Sequence, residues 1–216
     1  MPESTANRKD WRDQADAHYS KQYRDLDPLE IGNRCNLPFE AGGFSLRMMG
    51  TDYRAAFPEF ELRRAGGEDD RPVHDESLRV LILRYLCFGR WEPPKGRQLS
   101  YSDIPWGNLY FNNFDGRCVK RVERTFGNDT RGFSGIFERN KNLRAEKLAD
   151  KECAWRFELI NDIFMTILIW EGDEDFPPKA QILFDDNFPA AFSAEDTAVA
   201  CDICISRLKE MKDKYE

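Results

Sequence analysis

The stretch of sequence that decides the fold is IFMTILIWEGDEDFPPKAQILFDD, residues 163–186. Its first eight residues, 163–170, are bulky or β-branched and carry no charge, which is typical of a buried strand. An acidic turn with one glycine and two prolines follows at 171–178, and a second apolar run occupies 180–184. Because glycine and proline favour chain reversal, the stretch predicts an antiparallel hairpin.

Further strands and helices are predicted on the N-terminal and C-terminal sides of this hairpin. Apolar spacing predicts helices at 4–23, 75–88, 108–126 (one helix, or two broken at 115–116), 133–143 and 193–208. Asp75 and Ser193 are the predicted caps, and Pro28 opens a further short helix that ends near Gly32 or Asn33. Strands are predicted at 44–48, 57–62 and 153–159. The first two strands are joined around residues 50–52. Strands in hairpin-like pairs and helices in runs predict a single α+β domain, with a mainly antiparallel sheet packed by helices on one side.

The N-terminal part of the chain is predicted to depend on the rest for its burial. At 216 residues the chain suits one large core. The helix at 4–23 carries an aromatic stripe that must dock on another surface. We therefore expect residues 1–39 to form a helical segment packed on an α+β domain of residues 40–216.

Composition excludes several classes of function. A net charge of −7 argues against a nucleic-acid binder, because such proteins use clustered lysine and arginine to displace counterions. The longest apolar run is about eight residues against the ~20 that span a bilayer, and we expect no membrane association. No signal peptide is recognisable at residues 1–13, so we expect a cytoplasmic protein with its six cysteines as reduced thiols. The oligomeric state stays open.

The acidic turn is the first candidate for chemistry. Asp173, Glu174 and Asp175 are hard oxygen ligands of the kind that divalent cations prefer. Asp185 and Asp186 follow the second strand and should lie ~20 Å away, so the two acidic groups should not meet. We favour a structural role, in which the carboxylates accept hydrogen bonds from the turn and Phe176 points into the core. A metal site remains the alternative, and we predict no bound cofactor.

A CxxC pair, Cys201 and Cys204, lies inside the predicted last helix. Reactive pairs of this spacing normally lie at a helix N-terminus, where free amide groups lower the thiol pKa. No second CxxC completes a zinc or iron–sulfur site. We therefore expect both thiols to be buried core side chains.

Aromatic and basic residues in and beyond the segment 91–111 form the second candidate site. Aromatic walls with a few convergent charges are typical of ligand pockets. The candidate ligand-binding residues are Trp91, Arg97, Trp106, Tyr110 and Trp170. The chain has no nucleophile elbow, no P-loop and no dinucleotide-binding fingerprint.

Several segments together resemble the domain-of-unknown-function family 3786, over roughly residues 40–210. The matching segments are 78–86, 99–105, 110–114, 170–177 (WEGDEDFP), 182–185 (ILFD) and 195–196. The resemblance implies a bacterial or archaeal cytoplasmic protein, commonly from anaerobes, with no established activity. Some members carry an added four-cysteine iron–sulfur module, whose cysteine pattern this sequence lacks.

Together these features favour a non-enzymatic binding or accessory role in anaerobic metabolism. We expect a small anionic molecule or a protein partner to dock near the aromatic segment 91–111. The alternative is a metal-dependent enzyme that uses the carboxylates of the 171–175 turn.

Overall fold

The computed structural model describes residues 5–66, 70–148 and 153–214, and the side chains of residues 5–13 lie outside this description. Within these ranges, ten antiparallel strands and a set of helices confirm the α+β class. No helix in the described ranges combines the length and the apolar character that crossing a bilayer requires. The chain divides into two compact units, residues 1–47 with 51–91 and residues 48–50 with 92–216.

The first unit contains the N-terminal helices and the first five strands, apart from the last residue of β2. Its elements are α1 (Thr5–Arg24), α2 (Pro28–Cys35), β1 (Phe39–Glu40), β2 (Gly43–Met48), β3 (Thr51–Ala56), β4 (Leu62–Arg64), β5 (Arg71–Pro72) and α3 (Glu76–Phe88). The strand order is β5-β4-β3-β2, and β1 pairs with β2. The helices that we predicted in residues 1–39 are α1 and α2, and both belong to this unit.

Helix α3 is the centre of the first unit. Asp75 caps it as predicted, because its side chain accepts a hydrogen bond from the Leu78 amide at 3.1 Å. Helices α1 and α2 pack on α3. The ring of Tyr23 is fully buried against Phe44, and its hydroxyl donates to the Ala56 carbonyl at 3.1 Å. The aromatic side of α1 therefore has a core to dock on.

The hairpin of β2 and β3 differs from the sequence prediction. The chain reverses at Met49 and Gly50, which have φ values of 47° and 68°, and β3 then begins at Thr51. Consecutive positive φ values are the mark of the two-residue turns that match strand twist. The predicted strand 57–62 was wrong, since residues 57–61 connect β3 to the short strand β4. The TDYRAA sequence of β3 has too little apolar alternation to be recognised.

The second unit contains the hairpin that residues 163–184 are predicted to form. Its elements are β6 (Gln98–Leu99), α4 (Gly107–Phe114), a π-helical turn (Asp115–Val119), α5 (Lys120–Phe126), α6 (Thr130–Arg139), β7 (Ala145–Lys147), β8 (Cys153–Ile160), β9 (Ile163–Trp170), β10 (Lys179–Asp185), α7 (Phe188–Ala191) and α8 (Ala194–Asp213). The strand order is β8-β9-β10-β6, and β7 pairs with β8. The predicted hairpin is confirmed as β9 and β10, with Ile167 opposite Ile182.

Helices of the second unit cover one face of its strands. Trp155, Ile167 and Ile182 lie opposite one another on neighbouring strands and therefore share this face. The ring of Phe137 from α6 stacks on Trp155 with a centroid distance of 5.0 Å. Helix α4 contributes Phe114, which packs near Phe184 of β10. This arrangement matches the predicted sheet with helices on one side.

The opposite face of the same strands is polar. Arg156 of β8 donates two hydrogen bonds to the buried carboxylate of Asp185 on β10, one of them 3.2 Å long. The guanidinium lies 4.0 Å from the ring centroid of Phe164 on β9. The fully buried carboxylate of Glu158 accepts a hydrogen bond from Arg144 at 2.7 Å. Each buried charge therefore has a partner of opposite sign, as low-dielectric surroundings require.

Replacing Ile167 with Asp should unfold the protein. Ile167 is fully buried in β9, and an unpaired buried charge costs several kcal/mol against a total stability of ~5–15 kcal/mol. Circular dichroism during heating should show no cooperative transition for this variant. The matched control is Gln181→Asp on the exposed side of β10, which should melt within about 2 °C of the wild type. Cooperative unfolding of the Ile167 variant would contradict the central position of β9.

Candidate functional site

Helix α4 presents an exposed apolar surface. Trp106, Leu109 and Tyr110 are 75%, 73% and 56% exposed, respectively. Leu109 and Tyr110 lie in the first turns of α4, and Trp106 immediately precedes the helix, so the three exposed side chains lie at the same end of it. We call the surface that they form the α4 face. At about 150–250 Å² for each large side chain, it presents roughly 400 Å² of surface.

The base of α4 is fixed by close contacts. A Cβ atom on Gly107 would lie 1.9 Å from the Tyr101 carbonyl oxygen, so only glycine fits there. The Tyr101 ring stacks on Phe114 at the other end of the helix, with centroids 3.9 Å apart. The Tyr101 hydroxyl donates to the Ala194 carbonyl at 2.9 Å, and burial raises its pKa to about 12. The α4 face therefore stands on a rigid base.

Trp106 adopts a strained backbone conformation. Its φ and ψ are 68° and −1°, in the left-handed region that side chains with a Cβ avoid at a cost of roughly 1–2 kcal/mol. The indole ring recovers little of this cost by burial, because it is mostly exposed. Strain of this kind is concentrated at functional sites.

The α4 face is uncharged and its surroundings are acidic. Between Asp103 and Asp115 the sequence contains no charged residue. The Ser100 hydroxyl and amide donate to Asp103 and lower the pKa of its carboxyl, so this group stays ionised at neutral pH. Glu195 of α8 is also exposed and follows Ala194, which contacts Tyr101. The exposed basic residue nearest in sequence, Arg117, is paired with Asp202 at 2.9 Å.

Two of the candidate residues predicted from the sequence lie far from each other. Trp170 is exposed at the turn end of the hairpin, where it pairs with Lys179. Arg97 precedes β6, which pairs with the other end of β10, and its guanidinium lies 3.6 Å from Asp186. Because β10 has seven residues, these positions are separated by ~20 Å. The structure does not bring Trp170 and Arg97 together.

Trp91 belongs to the first unit, where it lines an open cleft of about 720 Å³. Arg34 and Arg90 line the same cleft, as do the carboxylates of Asp27 and Glu30. Arg34 donates to two carbonyl groups at the C-terminal end of α3. The indole N–H of Trp91 is buried and has no hydrogen-bond partner among the described residues. The formal charges of the lining residues cancel, so the cleft has no preference for an anion.

The acidic turn uses one carboxylate to hold its own backbone. Asp173 Oδ1 accepts hydrogen bonds from the amides of Asp175 and Phe176, at 2.9 and 2.7 Å. Glu174 and Asp175 are exposed, and within the described ranges no group of three or more His, Cys, Asp or Glu residues is arranged to hold a metal ion. The prediction that Phe176 points into the core was wrong, because its side chain is 71% exposed. Pro177 and Pro178 separate Phe176 from β10, which begins at Lys179. The alternation of inward and outward side chains along β10 therefore does not extend to Phe176.

The two acidic groups are separate, as expected. Asp185 is paired with Arg156, and Asp186 accepts hydrogen bonds from the amides of Lys95 and Arg97. These amide bonds, with the Arg97 guanidinium, lower the pKa of Asp186. Asp185 and Asp186 therefore hold the polar sheet face and the segment before β6.

The CxxC thiols have the predicted environment. Cys201 and Cys204 are fully buried free thiols within α8. Burial raises the pKa of both well above that of an exposed thiol. Since the thiolate is the reactive form, neither residue is suited to nucleophilic or redox chemistry at neutral pH.

Comparison with known proteins gives a family but no function. A family model described as a domain of unknown function, DUF3786, matches residues 27–207. The chain belongs to the DUF3786 family. The DUF3786 region contains the α4 face, the Trp91 cleft and the acidic turn, whereas α1 precedes it. No curated protein and no solved structure matches the chain.

Sequence reasoning missed the outward position of Leu109 in this DUF3786 chain. It assigned the apolar residues between Tyr110 and Phe126 to a helix, but did not separate those facing the core from those facing outward. Phe114 is buried and Leu109 is exposed. The available signal was an uncharged segment, 104–114, with more apolar residues than one buried helix side accommodates.

Replacing Trp106 with Asn should stabilise the protein. Asn tolerates the left-handed conformation, so relief of roughly 1 kcal/mol of strain should raise the melting temperature by about 2–4 °C. Differential scanning calorimetry measures the shift. Trp106→Ala is the matched control. It also removes the indole, but alanine has no polar side chain that could stabilise the left-handed conformation. Equal melting temperatures for the two variants would show that Trp106 is not strained.

Asp173 and Asp175 should differ in their contribution to stability. Asp173→Ala removes the acceptor of two turn amides and should lower the melting temperature by about 2–4 °C. Asp175→Ala removes an exposed carboxylate and should leave the melting temperature unchanged within about 1 °C. Calorimetric titrations of the wild type with Ca²⁺, Mg²⁺ and Mn²⁺ should be flat. A micromolar site that is lost in either variant would instead support the metal-dependent enzyme.

Proposed function

We propose that this protein is a non-enzymatic docking module whose α4 face inserts into an apolar groove on a protein partner. The observation that carries the proposal is the exposure of three large apolar side chains at the N-terminal end of α4, which are Leu109 and Tyr110 in the helix and Trp106 immediately before it. Helices that bind in grooves present apolar anchors to their partners. Tryptophan and tyrosine are also enriched among the residues that dominate binding energy.

The size of the α4 face suits a small interface. Its roughly 400 Å² of apolar surface is about half of the ~800 Å² that each partner buries in a standard complex. Exposed Phe111 and the amide side chains of Asn108 and Asn112 extend the surface with uncharged groups. Burying this face against a partner has a low desolvation cost, because no ionised group has to leave water.

The rigid base of α4 supports tight docking. Gly107 and the stacked pair Tyr101 and Phe114 hold the helix before any partner arrives. A preformed helix pays little ordering entropy on binding. The backbone strain at Trp106 also supports a docking role, because proteins retain a strained conformation where function depends on it.

The charges around the face define the partner. Asp103 and Asp115 flank the uncharged segment 104–114 in the sequence, and Glu195 follows Ala194, which contacts Tyr101 at the base of α4. The complementary groove is apolar at its floor and carries lysine or arginine at its rim, which would also accelerate association. The overall charge of −7 would likewise attract a basic partner and increase the association rate.

A protein partner is better supported than a small anion. The Trp91 cleft is lined by equal numbers of acidic and basic residues. Arg97 is exposed but already faces the Asp186 carboxylate. The enzyme alternative lacks support as well, since Asp173 is occupied by backbone amides.

The proposal includes a cellular setting. The six cysteines are free thiols, which is the usual state in the reducing cytoplasm. A role in anaerobic metabolism rests on the family resemblance, because members commonly come from anaerobes.

Affinity purification of the full chain from its native cells tests the proposal. The wild type is compared with Trp106→Ala/Leu109→Ala, and with Lys209→Ala/Glu210→Ala as a charge-neutral control on the exposed part of α8. A partner should be retained by the wild type and the control and lost by the α4 variant. Isothermal titration calorimetry on the purified pair should then show at least a roughly hundredfold loss of affinity, as expected for two central anchors.

Three results would overturn the proposal. They are equal retention of the partner by the α4 variant, no partner retained by the wild type, and self-association in analytical ultracentrifugation that the α4 variant abolishes. Circular dichroism of each variant at the assay temperature shows that lost binding does not reflect unfolding.

A further inference from the structure

The middle of α1 is attached to α3 through polar groups. The carboxylate of Asp16 accepts two hydrogen bonds from the Arg79 guanidinium, at 2.9 and 3.2 Å. The Arg84 guanidinium donates to the Tyr19 hydroxyl and lies 4.9 Å from the centroid of the Tyr19 ring. The Cys87 thiol donates to the Tyr19 carbonyl at 3.7 Å. An ion pair and hydrogen bonds therefore hold this part of α1 in place.

The burial of α1 changes abruptly at Tyr23. Every side chain of residues 14–22 is exposed or half-buried, whereas that of Tyr23 is fully buried. The Tyr23 ring packs against Phe44 and Phe57. Segments that bury little apolar surface open at a lower free-energy cost than core segments. Residues 14–22 should therefore open more readily than Tyr23, which stays attached to the core.

The ion pair between α1 and α3 is in contact with water. The side chains of Asp16 and Arg79 are 24% and 23% exposed. Ion pairs that reach solvent contribute little to stability and weaken as salt is added. The attachment of this part of α1 should therefore respond to ionic strength, whereas apolar packing at Tyr23 should not.

We infer that residues 14–22 of α1 form a strap that opens away from α3 while the rest of the first unit stays folded. We call this segment the α1 strap. The ion pair between Asp16 and Arg79 sets how often the α1 strap opens. The inference is independent of the α4 face, because α4 belongs to the second unit.

Opening uncovers a basic and aromatic surface on α3. Arg79, Arg84 and Cys87 are in contact with the α1 strap and lose these contacts when it opens. The ring of Phe88 is already exposed and lies 5.8 Å from the Tyr19 ring, measured between centroids. The α1 strap therefore controls access to this surface.

Cys87 reports opening of the α1 strap in the full chain. Its thiol is buried beneath Tyr19, and burial raises its pKa to about 11, so it should react slowly while the strap is closed. Cys35 of α2 is fully buried against α3 and reports unfolding of the first unit. Cys201 of α8 reports unfolding of the second unit. One molecule therefore contains the reporter and both controls.

Labelling of the full chain with N-ethylmaleimide tests the inference, with mass spectrometry of peptides to follow each cysteine. Cys87 should be labelled at least about tenfold faster than Cys35 and Cys201, because opening of the strap precedes unfolding of either unit. Raising NaCl from about 50 to about 500 mM should increase the rate at Cys87 severalfold through screening. The rates at the two control cysteines should not rise in parallel.

Charge variants test the role of the ion pair. Asp16→Asn should increase Cys87 labelling severalfold at low salt and remove its salt dependence. Asp25→Asn is the matched control, since it makes the same change at an exposed residue just after α1 and should leave the rate unchanged. Asp16→Arg/Arg79→Asp, which reverses the pair, should be labelled more slowly than Asp16→Arg alone.

Amide hydrogen exchange of the wild type gives a second measurement. The amides of residues 14–22 should exchange at least about tenfold faster than those of residues 79–86 in α3.

Four outcomes would overturn the inference. They are equal labelling of Cys87 and Cys35, a Cys87 rate that neither salt nor Asp16→Asn changes, an equal increase with Asp25→Asn, and exchange of residues 14–22 that is no faster than that of α3. Loss of the cooperative thermal transition in Asp16→Asn would also overturn it, because the α1 strap would then be an integral part of the core.

Discussion

Arg156 joins three strands of the second unit through one side chain. It starts from β8, passes over the ring of Phe164 on β9, and donates to Asp185 on β10. Removing the Arg156 charge would leave the Asp185 carboxylate buried and unpaired, which costs more than the pair itself contributes, whereas Arg156 also pairs with Glu146 at 3.0 Å. The polar face therefore fixes the alignment of β8, β9 and β10, while the apolar face supplies most of the burial. The position of α4, whose Phe114 packs near Phe184 of β10, depends on this alignment.

Much of the fold could be predicted because its signals are local. The apolar run of β9 and the caps at Asp75 and Ser193 are properties of short segments, and the structure confirms them. The β3 strand was missed because its alternation is weak and its turn uses Met49 at a positive φ, which residue type does not predict. Arg156 and Asp185 are 29 residues apart, so their pairing depends on strand register that sequence spacing alone does not give.

The candidate site was predictable only as a set of residue types. Trp106 and Tyr110 were recognised as aromatic candidates, and the structure adds that both are exposed at the N-terminal end of α4, together with Leu109. Trp91, Arg97 and Trp170 were grouped with them because aromatic and basic residues often converge in pockets. Arg97 and Trp170 lie at opposite ends of β10, a separation that appears only once the pairing of β6 is known. The candidate site was identified by the exposure of its side chains. Exposure depends on tertiary packing, which residue types alone do not give.

The acidic turn illustrates how the same residues support different chemistry. A carboxylate that accepts two backbone amides has little capacity left for a cation, so Asp173 stabilises the turn instead of forming a metal site. Of the three consecutive carboxylates in the turn, one is therefore used for folding, and the other two, Glu174 and Asp175, remain exposed.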